Sequence, residues 1–177
     1  MWNKRMLYGV VLSIFLLGLA GVGTASVPKN SPQSLSDRVR HQLVMLPYYS
    51  VFDELAFSVE GETVVLTGEV RKPTLKSDAE AVVRKIEGVE KVVNNIEVLP
   101  VSPMDDSIRL AAYRAIFAKP GFEKYADQPI SPIRIIVKNG TITLDGVVGT
   151  QLDKTLAEMA ARGVPYTFSV TNNLTVG

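Results

Sequence analysis

Residues 64–70 read VVLTGEV and residues 142–148 read ITLDGVV, so one glycine-containing motif occurs twice in the chain. Apolar and polar residues alternate along both stretches, which is typical of a half-buried β-strand. A glycine inside a strand costs about 0.5–1 kcal/mol relative to alanine, so Gly68 and Gly146 need a structural reason. The recurrence indicates an internal repeat.

The repeat extends well beyond the two glycine motifs. Shifting the chain by 78 residues aligns residues 59–98 with residues 137–176 without a gap. Besides apolar positions, the identical pairs include the strand glycine and two asparagines of each copy: Gly68 with Gly146, Asn94 with Asn172 and Asn95 with Asn173. The simplest reading is two copies of one small module.

Both copies predict the same order of elements at their start. An amphipathic helix begins near Ser34 in the first copy and near Asp105-Asp106 in the second, where these side chains supply a cap and an acidic first turn. Two alternating runs follow. Asn139-Gly140 between the runs of the second copy predicts a tight hairpin, because both turn residues must accept positive φ.

A second helix and a last strand complete each copy. In the first copy a helical apolar stripe runs from Leu75 to Ile86, and Gly88 is a candidate left-handed cap. In the second copy the predicted stripe is Leu152, Leu156, Met159 and Ala160, ending at Gly163 and offset by one residue on one flank. This offset predicts a slightly rotated helix.

This order predicts an α+β fold of two small αββαβ modules, each a three-stranded mixed sheet with two helices on one face. The opposite face is expected to be more polar. If the second and third strands are parallel, Gly68 and Gly146 lie where the middle strand leads into the crossover helix. A side chain there would hold strand and helix apart.

The N-terminus predicts export. Lys4 and Arg5 precede an apolar run at residues 6–22, and small residues follow, which is typical of a signal peptide over residues 1–25. Residues 26–33 are then a linker. The alternative is an uncleaved membrane anchor, because the run approaches the length that spans a bilayer. The predicted location is periplasmic or otherwise exported, or N-terminally membrane-anchored.

The duplicated motifs resemble those of the BON domain, named for bacterial OsmY and nodulation proteins. The resemblance rests on Leu66-Thr-Gly68-Glu-Val70, its counterpart at residues 144–148, and Gly88-Val-Glu-Lys-Val92-Val-Asn94. It covers residues 34–100 and 104–177, joined by a short linker at residues 101–103. The second copy departs from it at Tyr166-Thr167, and it carries an additional stretch at residues 119–132. A signal peptide followed by two such domains is the layout of OsmY-like periplasmic proteins.

The resemblance implies a non-enzymatic envelope role: binding of phospholipid surfaces, protection under osmotic or other stress, and contacts with proteins. The residues themselves indicate no enzyme. The chain has no cysteine and one histidine, His41, which a helix pattern explains, so a nucleophile with an adjacent base is not visible. No spaced acidic loop predicts a metal site, and no cofactor is expected. A formal net charge of +1 without a basic run argues against nucleic acid.

The best candidates for a lipid surface combine positive charge with aromatic rings in the second copy. Such pairs suit the headgroup region of an anionic membrane. They are Arg109, Arg114, Lys119, Phe122, Lys124 and Tyr125. The aromatic members are equally compatible with a core role.

The repeated motif residues are predicted to serve the fold without ligand contact: Gly68, Gly146, Gly88, Asn94 and Asn172. The asparagines are expected to bond neighbouring backbone. The alternative function is a periplasmic protein-interaction or chaperone-like module, in which exposed sheet edges recruit a partner by strand addition.

Overall fold

Both modules contain the predicted order of elements in the computed structural model, which describes residues 34–177. The first module consists of α1 (Leu35–Val44), β1 (Ala56–Glu60), β2 (Thr63–Thr67), β3 (Glu69–Val70), α2 (Pro73–Val83), β4 (Lys91–Asn94) and β5 (Glu97–Val98). The second consists of α3 (Pro103–Phe117), α4 (Glu123–Ala126), β6 (Ile133–Lys138), β7 (Thr141–Val148), α5 (Gln151–Arg162), β8 (Ser169–Asn172) and β9 (Thr175–Val176). The predicted signal peptide and the linker at residues 26–33 lie outside the described residues.

Each sheet is mixed and has the predicted topology. In the first module β1 pairs antiparallel with β2, which pairs parallel with β4, and β3 and β5 continue the parallel pairing. In the second module β6 pairs antiparallel with β7, which pairs parallel with β8 and β9. Helix α1 contacts α2, and α3 contacts α5, so the two helices of each module lie on one face of its sheet.

Each module has its own hydrophobic core between helices and sheet. The first core is built around Val39, Leu66 and Leu75, and the second around Ile108, Leu144 and Ala157. Ser34 and Ser102 accept hydrogen bonds from the amides of the third residue beyond them and cap α1 and α3. The expectation that Asp105-Asp106 caps α3 was therefore wrong.

Gly68 and Gly146 lie at the end of the middle strand, as predicted. The reason why glycine is required there differs from the expected one. Both have a strongly positive φ, +118° and +122°. A Cβ atom at Gly68 would lie 2.2 Å from the Glu54 carbonyl oxygen, and one at Gly146 would lie 1.9 Å from the Pro132 carbonyl oxygen. The backbone leading into the antiparallel neighbouring strand, and not the crossover helix, excludes a side chain.

The hairpin of the second module has the predicted tight turn, with φ of +51° at Asn139 and +76° at Gly140. Its two turn amides donate to the buried Asp105 carboxylate at 3.0 and 2.8 Å. Asp105 therefore joins the start of α3 to the turn of the hairpin. It is a structural group.

Helix α5 has the same rotation about its own axis, relative to its core, as α2. Its buried residues, Asp153, Ala157, Ala160 and Ala161, stand 78 positions after Leu75, Ala79, Val82 and Val83. Leu152 and Met159 of the predicted stripe face solvent. The expectation of a rotated helix was wrong, because Ala160 and Ala161 pack towards the second core where the larger Val82 and Val83 stand in the first.

The outer face of β6 packs against the first module. Arg134, Ile136 and Lys138 alternate with the core residues of this strand, and Ile136 is fully buried. Arg134 donates to the Ser50 carbonyl at 3.2 Å, and the Lys138 ammonium lies 2.6 Å from a Glu97 carboxylate oxygen. The more polar face predicted for this sheet is therefore partly an interface between modules.

Candidate functional site

The two aromatic residues of the predicted lipid surface are buried in the second core. Phe122 has no exposed surface and Tyr125 is 5% exposed, because the additional segment folds back as α4 and packs both rings under α3. The Tyr125 hydroxyl donates to Asp153 at 2.6 Å and accepts from the Gly149 amide at 2.8 Å. Neither ring is available to a membrane, so their predicted contact role is corrected to a core role.

Arg109 is also removed from the predicted surface. Its side chain is 3% exposed, donates to Asp106 at 2.7 Å, and donates to the Val137 carbonyl. A buried charge needs such partners, since leaving it unpaired would be costly. Arg109 therefore holds α3 against β6.

Three basic residues of the predicted surface remain partly or fully accessible. Arg114 and Lys124 are exposed, and Lys119 is half-buried. Lys124 lies 3.0 Å from Asp153, and this hydrogen bond raises the pKa of Lys124. Lys124 is therefore a protonated cation whose charge is paired with the Asp153 carboxylate near the start of α5.

One exposed apolar feature, on α5, was not recognised as exposed from the sequence. It consists of Leu152, Leu156 and Met159 and is called the α5 stripe. Leu152 is 64% exposed and Met159 is 63% exposed, whereas Leu156 is partly buried against the core. An apolar stripe on a solvent-facing helix needs an explanation outside the fold.

The first module lacks this stripe at the equivalent positions. Subtracting 78 places Thr74, Asp78 and Ala81 of α2 opposite Leu152, Leu156 and Met159. The two helices bury equivalent positions, so the difference is confined to the outer flank. The repeat alignment already indicated that Leu152 lies outside the buried face of α5, because it pairs the buried Leu75 with Asp153 and not with Leu152.

A second apolar feature lies beside the hairpin turn of the second module. Tyr166 and Phe168 are 79% and 89% exposed and are called the aromatic tip. The Phe168 amide donates to the Gly140 carbonyl at 2.8 Å. Gly88 and Glu90 occupy the equivalent positions of the first module. Tyr166 has a φ of +65° where Gly88 has +88°, so an exposed ring is held on a backbone that favours glycine.

The repeated asparagines make the same structural network in both modules. The Asn94 side-chain amide donates to the Lys76 carbonyl at 3.0 Å and to Glu80 at 3.1 Å, and its oxygen accepts from the Ile96 amide. Asn172 makes the equivalent bonds to Lys154, Glu158 and Leu174. The expected bond to neighbouring backbone is present twice, which supports a role in the fold.

Two further observations concern residues 34–177 as a whole. No group of three or more histidine, aspartate or glutamate side chains in this range is placed to hold a metal ion. Within the same range, no helix combines the length and apolar character needed to cross a membrane.

The structure defines a class of protein built from two repeated αββαβ modules with separate cores and different surfaces. The family model described as BON domain matches residues 34–100 and 119–177, more than two thirds of the chain. The chain belongs to the BON domain family and contains the domain twice. This family is associated with the bacterial envelope and with phospholipid binding.

Two solved structures of CdsD, a structural protein of the type III secretion system of Chlamydia trachomatis, are distantly similar to the chain. The structure of its C-terminal domain aligns over its full length with 84% of this chain, at 12% identity and a TM-score of 0.30. In the second structure 92% of that chain aligns with 81% of this one, at 12% identity and a TM-score of 0.32. A search of curated proteins gave no significant match.

Proposed function

We propose that this protein is a non-enzymatic, exported envelope protein whose second module binds anionic phospholipid surfaces. The observation that carries the proposal is the α5 stripe, which places apolar side chains in solvent where the first module has Thr74, Asp78 and Ala81. A role in protection of the envelope under stress agrees with the family. The predicted signal peptide supports delivery to the envelope.

Charge around the stripe favours an anionic surface. Arg114 is exposed on α3, the helix that contacts α5, and Lys124 forms an ion pair with Asp153 near the start of α5. A basic residue near an anionic membrane contributes about 1 kcal/mol, and a buried methylene contributes about 0.8 kcal/mol. Two exposed apolar side chains together with the cations Arg114 and Lys119 therefore suffice for reversible peripheral binding.

The aromatic tip offers a second point of contact. Tyrosine and phenylalanine rings are favourable at the headgroup boundary, and the left-handed backbone at Tyr166 costs about 1 kcal/mol that a glycine would avoid. A tyrosine at a position that favours glycine is expected where the exposed ring contributes to binding. The stripe and the tip both belong to the second module.

Vesicle sedimentation tests the proposal. The protein purified after expression of the full-length chain is expected to sediment with phosphatidylglycerol vesicles and much less with phosphatidylcholine vesicles, and salt should weaken the binding. Leu152→Thr combined with Met159→Ala installs the residues of the first module and should reduce the sedimented fraction severalfold. Arg114→Gln combined with Lys119→Gln should reduce it through charge.

The matched control is Met45→Thr, which removes an exposed apolar side chain from the first module and should leave sedimentation unchanged. Tyr166→Gly tests the aromatic tip, because it relieves the backbone and should keep or slightly raise stability while weakening binding. Equal sedimentation with both lipids, or full binding by the stripe variant, would contradict the proposal.

A further inference from the structure

The outer edge of β1 is unpaired within residues 34–177. Strand β1 pairs only with β2. The amide and carbonyl of Glu54 bond to Glu69, so residues 56, 58 and 60 share the bonds of this antiparallel ladder. The polar backbone groups of Phe57 and Val59 therefore point away from β2. An edge of this kind is a template for another extended chain.

The second module shows how the equivalent edge is used. Ile135 of β6 stands 78 positions after Phe57, and its amide donates to the Val51 carbonyl at 2.8 Å. Arg134 reaches the neighbouring Ser50 carbonyl. A segment of the first module thus bonds to the outer edge of β6, whereas the outer edge of β1 has no such segment among the described residues.

Two adjoining clefts run beside the open edge. The first has a volume of about 270 Å³ and is lined by residues of both modules, including Leu43, Val44, Phe57 and Ile130. The second, about 380 Å³, continues along β1 past Ala56 and Val59. Arg40, Leu55 and Phe57 line both clefts. The apolar residues provide pockets for side chains of a bound segment.

Positive charge faces the same clefts. Arg40 lies 5.8 Å from the centroid of the Phe57 ring and has no ion pair within residues 34–177. Arg134 lies over the Tyr49 ring at 4.5 Å and also lines the first cleft. Glu54 is the one acidic residue among the described residues that line the first cleft, and within residues 34–177 no acidic residue lines the second. The clefts therefore favour an acidic group on the ligand.

We propose that the outer edge of β1 binds an extended peptide of a partner protein by strand addition, with apolar and acidic side chains of that peptide directed into the cleft between α1 and β1. Alternate residues of an extended segment face the same side. The recognised pattern is therefore an apolar residue two positions from an acidic one. This site is distinct from the lipid surface of the second module.

Titration with short peptides tests this site on the protein purified after expression of the full-length chain. The probe is the amidated heptapeptide TVTDTVT with an N-terminal fluorescein, and TVTKTVT with the same label is its charge-reversed partner. Binding is followed by fluorescence anisotropy of the peptide and by backbone amide chemical shifts of the protein. The aspartate peptide is expected to bind about fivefold more tightly than the lysine peptide, and to shift the Phe57 and Val59 amides. N-methylation of alternate amides of the peptide should abolish binding.

A charge-reversed protein sharpens the test. Arg40→Glu should invert the preference, so that TVTKTVT binds more tightly than TVTDTVT, while Lys85→Glu, which lines neither cleft, should keep the original order. Vesicle sedimentation of Arg40→Glu should equal that of the unmodified protein. Absence of binding by both peptides, amide shifts confined to β4 or β8, or an unchanged preference in Arg40→Glu would overturn the proposal.

Discussion

The two modules are alike inside and different outside. Both have a positive-φ glycine at the end of the middle strand and an asparagine bonded to backbone and glutamate, and both bury equivalent positions of their second helix. They differ on the outer flank of that helix, at the tip beside the hairpin, and on the outer face of the first strand. The repeated positions maintain the fold, and the divergent positions are where function is expected.

Substitution of the two glycines gives the largest expected effect and tests the likeness of the modules. Gly68→Val and Gly146→Val each place a side chain against a backbone carbonyl on a positive-φ backbone. Strain and steric overlap should lower the free energy of unfolding by about 2–5 kcal/mol, as measured by urea denaturation. An unchanged midpoint for either variant would refute this explanation of the glycine.

Ile136→Ser should have the next largest effect, and it tests a difference between the modules. It installs the residue that stands at the exposed equivalent position, Ser58, at a site that is 1% exposed. Loss of the buried side chain should cost about 2–4 kcal/mol. The control is Val101→Ser, which changes a 97% exposed residue and should leave the urea midpoint unchanged. Equal midpoints for the two variants would show that the interface contributes nothing to stability.

Asn94→Ala and Asn172→Ala should have smaller and similar effects. Each removes the partner of a carbonyl, a carboxylate and an amide, and a cost of about 1–3 kcal/mol is expected for each variant. Thermal denaturation measures both. A loss restricted to one module would show that the repeated network is structural in that module alone.

Glu54→Gln should have the smallest effect, with a defined dependence on pH. Burial, followed by Asp145 and Glu69, raises the pKa of Glu54 above its ordinary value of 4.5, so the charged carboxylate opposes folding. The contribution of Glu54 to the free energy of unfolding is therefore most favourable below pH 4.5. It becomes less favourable as the pH rises from 4.5 through the raised pKa of Glu54. The glutamine variant should unfold at higher urea than the unmodified protein at pH 7 and at the same urea below pH 4.5. A gain at both pH values would exclude titration as its cause.

Much of the fold could be predicted because helices, strands and turns leave recognisable patterns in short stretches of sequence, and the repeat shows these patterns twice. The 78-residue repeat, the Asn139-Gly140 turn and the order of elements follow from local patterns. The cause of the requirement for glycine at position 68 could not be predicted. It is the close approach of the Glu54 carbonyl oxygen to Gly68, and Glu54 is distant in sequence. Three consecutive apolar residues, Ile135-Ile136-Val137, were the available indication that β6 is covered on both faces.

The proposed lipid surface was only partly predictable. Aromatic and basic residues near a loop look the same in sequence whether the rings face solvent or the core, and Phe122 and Tyr125 are in the core. The hydrophobic pattern of α5 also favoured Leu152 and Met159 as buried, because leucine and methionine are more apolar than the alanines that pack inside. The burial of Asp153 depends on its partners Tyr125 and Lys124, which a periodic pattern does not reveal.

The most direct test of lipid binding by the second module compares equivalent positions of the two modules in one chain. The sequence contains no cysteine, so Met159→Cys and Ala81→Cys each provide a unique site for an environment-sensitive nitrobenzoxadiazole label. On addition of phosphatidylglycerol vesicles, the fluorescence of the label at residue 159 should increase and shift to the blue, while that at residue 81 stays unchanged. Equal responses at both positions, or no response at residue 159, would contradict the assignment of membrane binding to the α5 stripe.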